Sequence, residues 1–369
     1  EFAKGKLPEA PISIHEPEWY DERDIDLQLN THVTAIDPDA HEIQTHEGDT
    51  YEYDKLLVAT GGTPAQLPVE NSDADGVHHF WTFQDARGIR EHADESDQGI
   101  IVGAGLLGID LAAVCAAQGI DAKYLMRGNR WWRYALSEEG AEIIHEALEE
   151  NGVEPVFESG VDHFEVDDDG SVTGAVDPDG NHYDGEWAGV AIGLNFNTEF
   201  LNGTGLELDD GVVVDEYMQT NLDDIYAAGD LTQFYDTILN SQAQNGAWGS
   251  AKEQGSVAGT NMVADAEERE FRWVSSYSIT HFDFPFLSFG HPTRGDDEAE
   301  RKYSDSEWRR LAFENGQLIG GVLIGDLSQQ STFKKLIRQE RQVADQKELL
   351  LEKQVDLEEV KAQTPAPAE

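Results

Sequence analysis

Apolar positions in this chain gather in short runs that end in glycine or in small residues, and these runs predict buried strands feeding helices. Ile100 to Val102 is one such run, followed by Gly103, Gly105 and Gly108 and then by the small apolar stretch Leu111 to Ala117. It predicts strand, tight turn and packed helix in that order. Leu56 to Val58 and the stretch 120–126 (IDAKYLM) predict further strands, as does the run that closes TNLDDIYAAGD at 220–230. Nearer the start, Pro17-Glu18-Trp19-Tyr20 opens a helix, and Ile25 to Leu29 predicts a strand. Toward the end, SSYSITHFDFPFLSFG (275–290) and RRLAFENGQLIGGVLIGD (309–326) read as strands, the second with a hairpin turn at Glu314-Asn315-Gly316. Ser331 to Lys353 predicts a charged helix, and the residues through Thr364-Pro365-Ala366-Pro367 predict a disordered tail.

Three of these junctions carry candidate chemistry. In IIVGAGLLGIDLA (100–112) the spacing of Gly103, Gly105 and Gly108 suits a dinucleotide pyrophosphate lying against a helix N-terminus. Alone, the pattern also fits an ordinary glycine-rich turn. Upstream, YEYDKLLVATGG (51–62) ends a strand in Ala59-Thr60-Gly61. Downstream, the 220–230 segment ends a strand in Gly229-Asp230, and a carboxylate there is placed to accept hydrogen bonds from sugar hydroxyls.

In this order the motifs resemble the FAD-dependent pyridine nucleotide–disulphide oxidoreductases, over roughly residues 1–345. Within them the chain looks most like the branch of NAD(P)H:rubredoxin reductases, NADH oxidases and nitrite reductase flavin domains. The resemblance implies an α/β fold of two Rossmann-like nucleotide-binding domains, one inserted in the other, plus a small α+β C-terminal domain. It assigns 1–80 and 212–266 to an FAD domain, 81–210 to an NAD(P)H domain and 269–327 to an interface domain. A charged helix (328–356) and a disordered tail (357–369) would follow. Members open with a βαβ unit holding their own glycine motif. Nothing like it lies in residues 1–50, so the expectation is a missing first unit, roughly 40–50 residues long, and an incomplete FAD site.

The resemblance also assigns residues. Thr60, Gly61, Gly229, Asp230, Gly246 and Ala247 would contact FAD, the last two opening a helix that points its positive end at the flavin. Gly103, Gly105, Gly108 and Gly193 would line the NAD(P)H path. Asp110, where the family has Glu, would stand near the nicotinamide as the catalytic carboxylate. Phe196 replaces the family's usual proline near Asn197. Trp248 reads as packing rather than contact. At the end of the 120–126 strand no acid is present to hold a ribose hydroxyl. Met126 stands there, followed by Arg127 and Arg130, whose guanidiniums could take a 2′-phosphate. Either nicotinamide dinucleotide remains open, with a lean toward NADPH.

Charge narrows the setting. With 74 Asp and Glu against 25 Lys and Arg, the net charge is −49. Such a surface suits a salt-saturated cytoplasm, where a Debye length of ~3 Å weakens like-charge repulsion. It disfavours nucleic acid and anionic membranes. The single cysteine, Cys115, sits among small apolar residues and reads as core, so the chain holds no redox pair, and no metal-ligand spacing is present. The resemblance implies hydride transfer from NAD(P)H to FAD, and with no redox pair in this chain the electrons would then pass to an external acceptor, either oxygen or an acidic ferredoxin- or rubredoxin-like carrier. The locally positive 331–353 helix, with Phe333, Leu336 and Ile337 beside its lysines, is the candidate docking site, and a homodimer is a further possibility. The alternative is a non-catalytic NAD(P)-binding sensor or scaffold.

Overall fold

The computed structural model describes residues 1–8, 14–263, 267–279, 281–282 and 284–364. The chain divides into two compact units. The first joins 1–7, 64–194 and 274–369, and the second joins 8–63 and 195–273. Both cores are α/β with parallel strand pairing, and the C-terminal part of the first unit carries an antiparallel sheet.

The first unit is built on a five-stranded, all-parallel sheet. Its strands, in spatial order, are Val77–His79, Trp187–Val190, Gln98–Val102, Asp121–Met126 and Val153–Phe157. Strands buried on both faces need continuous apolar runs, and Gly99 to Val102 are all buried. Three helices cover the sheet: Phe83–Glu95, Leu106–Gln118 and Glu138–Glu150. The first is started by a capping box, with the Asp85 amide donating to Thr82 Oγ1 at 3.1 Å and the Thr82 amide donating to Asp85 Oδ2 at 2.5 Å. Because Val77–His79 pairs with Trp187–Val190, the unit begins near residue 64, upstream of the expected boundary at 80/81. It ends at 194, short of the expected 210.

The 274–369 segment shares the first unit's core. Its sheet runs Ser276–Ile279, Phe286–Gly290, Gln317–Ile324, Glu307–Glu314, Asp297–Ser304, antiparallel throughout. The hairpin at Asn315-Gly316 forms as expected, with both residues at positive φ (51° and 83°). Trp131, Trp132 and Phe286 form one aromatic cluster, and Trp308 packs so tightly on Gly140 that an added Cβ would meet its ring at 2.8 Å.

The C-terminal stretch differs from the single charged helix and disordered tail read from the sequence. A helix spans Gln330–Arg338, a short one Lys347–Leu350, and a third Leu357–Gln363, while 365–369 lie outside the described residues. Arg309, 2% exposed, donates to the carbonyls of Leu350, Glu352 and Lys353, and so satisfies the end of the second helix. Phe333, Leu336 and Ile337 are buried, with Phe333 stacked on Phe289, and so cannot form the apolar part of a docking surface.

In the second unit, Leu56–Val58 pairs in parallel with Ile225–Ala227, and Val212–Val214 with Thr232–Asp236. The expected strand at 25–29 does not form. Ile25, Leu27 and Leu29 are exposed there, and the first strand of this unit is Val33–Asp37.

Candidate functional site

The first unit's sheet reverses its winding between Gln98–Val102 and Trp187–Val190, and the crevice at a switch point of this kind is where open α/β sheets hold ligands. A trough of about 790 Å³ lies there. Its floor is Gly103 to Gly105, and its walls include Arg127, Glu158 and Ala191 to Gly193. The three fingerprint glycines serve distinct ends. A Cβ on Gly103 (φ 117°) would lie 2.1 Å from the Ala191 carbonyl oxygen. One on Gly108 would lie 2.2 Å from both the Gly103 carbonyl oxygen and the Tyr124 hydroxyl. Gly105 meets nothing within 4 Å and opens into the trough as the N-cap of the helix Leu106–Gln118, with no side chain capping that end. A dinucleotide pyrophosphate fits this unfilled helix N-terminus. Gly193 (φ 114°) likewise faces open space.

A smaller recess of about 230 Å³ adjoins the trough. Pro64, Phe80, Trp81, Leu106, Leu107 and Leu194 line it, and it shares Gly105, Ala191 and Gly193 with the trough. An apolar recess continuous with a phosphate-binding turn suits a flat ring attached to a nucleotide.

The two arginines picked from the sequence separate. Arg127, just past Asp121–Met126, is exposed and makes no hydrogen bond or ion pair among the described residues. Arg130 is committed to its own loop, donating to the carbonyls of Leu136 (2.8 Å) and Arg133 (3.3 Å) and to the Asn129 side chain. Sequence reasoning missed Arg133, Tyr134 and Glu158, which also line the trough. Arg133 lies over the Tyr134 ring and donates to its hydroxyl at 2.8 Å.

Asp110 is absent from the lining of both cavities. Its Oδ2 accepts from the Tyr277 hydroxyl at 2.5 Å, and its Oδ1 lies 3.2 Å from His281 Nε2. Cys115 is fully buried, and burial pushes its thiol up to about 12, which leaves it inert at neutral pH.

The second unit holds its own corner. Gly229 (φ 93°) and Asp230 follow Ile225–Ala227 across Ala228. Asp230 is half-buried and has no hydrogen-bond partner among the described residues, and burial raises its pKa above the ordinary carboxylate value. Gly246 lies beside it, with an added Cβ 3.8 Å from Asp230 Oδ2. Ala247 begins the helix Trp248–Asn261 without a side-chain cap. Thr60 and Gly61 follow the neighbouring strand Leu56–Val58 across Ala59, and Gly61 (φ 59°) faces open space. An orphaned carboxylate beside an uncapped helix N-terminus fits a ligand that carries hydroxyls and negative charge, as FAD does. Trp248, expected to pack, is 71% exposed and lies beneath the Lys252 ammonium.

A glycine-turn trough on a parallel sheet, and a second strand-end corner with an unanswered acid, define a dinucleotide-binding α/β protein. The chain belongs to the pyridine nucleotide–disulphide oxidoreductase family, whose model matches residues 5–249. A model of the rubredoxin NAD+ reductase C-terminal domain matches 278–341. Among curated relatives, it is 25% identical to the assimilatory nitrate reductase electron transfer subunit of Bacillus subtilis, covering 95% of this chain and 45% of that one. It is 30% identical to an NADH oxidase of Methanocaldococcus jannaschii, covering 72% of this chain and 60% of the relative. The chain thus spans about half the length of such relatives. Its fold matches putidaredoxin reductase in the covalent putidaredoxin reductase–putidaredoxin complex with a TM-score of 0.90 at 23% identity, over 100% of this chain and 88% of that one. No helix among the described residues is long and apolar enough to cross a membrane.

Proposed function

We propose that this protein passes reducing equivalents from NADPH to FAD and on to an external acceptor, either an iron–sulphur carrier or oxygen. The observation that carries the proposal is the apolar recess of about 230 Å³ opening directly off the glycine-turn trough. In this reading the trough would hold the adenosine and pyrophosphate and the recess the nicotinamide ring, a group whose chemistry is hydride donation. Gly105 leaves room for the pyrophosphate, and Phe80, Trp81 and Leu106 exclude water from the ring. In the second unit, Asp230 would accept from ribityl hydroxyls, and the uncapped helix start at Gly246 and Ala247 would offer the flavin the positive end of its dipole. Thr60 and Gly61 complete that corner.

Arg127 and Arg133 select the 2′-phosphate, because they are the exposed guanidiniums on the trough, and Arg130 supports the loop. A net charge of −49 supports work in a salt-rich cytoplasm, as a monomer or homodimer. The similarity of 278–341 to the rubredoxin NAD+ reductase C-terminal domain supports a small protein carrier over a disulphide, and Cys115 cannot act as a redox thiol.

The test is reconstitution with FAD in molar potassium chloride, followed by NADPH and then by a ferredoxin, a rubredoxin or air. The flavin band should bleach with NADPH and return with one of the acceptors. Dinucleotide binding without any bleaching would overturn the proposal in favour of a non-catalytic sensor. Replacing Arg127 and Arg133 with Ala should weaken NADPH by about 1–3 kcal/mol and leave NADH nearly unchanged. Equal loss for both nucleotides would assign these arginines to the loop.

A further inference from the structure

Asp110 stands one helical turn beyond Leu106, a wall residue of the apolar recess, and it is tied to a second element of the same unit. Tyr277, in the strand Ser276–Ile279, places its hydroxyl 2.5 Å from Asp110 Oδ2 and 3.4 Å from the Leu106 carbonyl oxygen. His281 Nε2 lies 3.2 Å from Asp110 Oδ1, and the almost fully buried Lys4 ammonium lies 2.8 Å from His281 Nδ1 and 2.9 Å from its Nε2. A lysine can only donate, and its ammonium reaches both ring nitrogens, so the donor to Asp110 that chemistry fixes is the Tyr277 hydroxyl. The carboxylate thus receives Tyr277 on one oxygen and lies against the His281 ring with the other.

We propose that Tyr277 and His281 are positioning residues that hold the Asp110 carboxylate behind the recess wall, where its charge favours a cationic ring over a neutral one. The proposal rests on the reading above that the recess takes a nicotinamide ring. Burial and the facing carboxylate raise the Tyr277 pKa, so the hydroxyl stays a donor across the working range. Asp110 is only 24% exposed at its side chain, so its field is screened less than that of a surface acid. The Tyr124 hydroxyl, buried against Gly108 with no hydrogen-bond partner, supplies no competing bond to the carboxylate.

The test compares equilibrium binding of oxidised and reduced dinucleotide, NADP+ against NADPH, by calorimetry on the FAD-free protein. Asp110→Asn should shift the affinity ratio toward the reduced form by about three- to tenfold, the scale of one partly buried charge interaction. Tyr277→Phe and His281→Leu should each shift it the same way by less, and should add nothing further in the Asp110→Asn background. An unchanged ratio in Tyr277→Phe and His281→Leu, or effects that add to Asp110→Asn, would overturn the proposal while leaving the functional reading intact. Failure of the unaltered protein to bind either nucleotide would overturn both. As a second measurement, chemical unfolding of the same variants should show Tyr277 and Asp110 coupled, and additive unfolding energies would count against the bond itself.

Discussion

The 100–112 corner of the first unit and the 225–248 corner of the second unit are built alike, yet they stand in opposite electrostatic condition. Each combines a buried strand ending in glycine with a helix start that no side chain caps, although in the second the strands Thr232–Asp236 and Ser241–Ala243 lie between the two in sequence. In the first, Asp110 and Arg130 are answered by the chain itself, and Arg127 alone of the three stays exposed and unpaired among the described residues. Asp110 receives Tyr277 and His281, and Arg130 is spent on loop carbonyls. In the second, Asp230 is half-buried and unanswered. A buried polar group without a partner costs on the order of 1–3 kcal/mol. The first corner is therefore complete as a folded object and open only as a trough. The second carries a cost that a hydroxyl-bearing ligand would remove. A charge satisfied by its own fold reports on positioning, and one left unsatisfied reports on what is to be bound.

The comparison is broken most severely at Gly103. Its φ of 117° and the Ala191 carbonyl oxygen 2.1 Å from any added Cβ leave no room for adjustment, because the obstacle is backbone. Gly103→Ala should destabilise the first unit by roughly 3–5 kcal/mol, as strain and overpacking combine, measurable by chemical denaturation. Gly105→Ala, with nothing within 4 Å, should leave stability within about 0.5 kcal/mol while weakening dinucleotide binding. If both variants lost stability equally, the separation of a packing glycine from a ligand-facing glycine would fail.

Acid sharpens the contrast, because it acts on the two units with opposite sign. Burial, and then the neighbouring His92, hold His78 at about 4, with Asp75 and Asp85 pulling weakly the other way. Burial, and then Arg130, hold His145 at about 4, and its Nε2 accepts from the Trp131 amide. Unfolded histidines titrate near ~6.5, so between about 6.5 and 4 the unfolded chain binds more protons. The contribution of these histidines is fully present above that window and is lost as pH falls through it, about 1–2 kcal/mol for the pair after allowance for solvent screening. Asp230 runs the other way. Its raised pKa means the folded state takes a proton first, so its cost is relieved as pH falls. Thermal melts from pH 7 to 4 should drop in the parent and flatten in His78→Gln/His145→Gln. An unchanged slope would mean that these rings are not buried in the neutral form.

What the sequence made legible was steric and local. The glycine fingerprint, the hairpin at Asn315-Gly316 and the core character of Cys115 follow from what a single residue tolerates at its own position. What it hid depends on which groups meet at a distance. Arg127 and Arg130 look equivalent three residues apart, but the turn through Trp132 (φ 44°) folds the Leu136 and Arg133 carbonyls onto Arg130 alone. Phe333, Leu336 and Ile337 have the spacing of a core stripe. The interleaved lysines made that stripe look like a surface, because the sheet that buries it is contributed by 286–324. The unit boundary near 64 was equally hidden, since nothing in Val77–His79 announces which sheet edge it will join. The run at 25–29 alternates without a partner strand, and alternation alone does not make a sheet.

The smallest expected effect separates the corners by sign rather than by size. Asp230→Asn replaces a half-buried, unpartnered carboxylate with a neutral group of nearly the same shape. It should raise the stability of the FAD-free protein by about 0.5–1 kcal/mol, a figure reduced for its remaining exposure. Asp110→Asn should do the reverse, because the amide keeps one acceptor oxygen where the carboxylate has two and turns its NH2 on the Tyr277 hydroxyl or the His281 ring. On adding FAD the order should invert for Asp230→Asn. The parent should gain more stability than the variant, because binding stabilises by mass action in proportion to affinity, and the carboxylate then has the hydroxyls it lacked. Melting curves with and without FAD, at neutral pH and high salt, measure both signs in one experiment. A variant destabilised without FAD would mean that Asp230 already has a partner in its own chain. The second corner would then be as self-sufficient as the first, and its orphaned acid could no longer be used to infer a ligand.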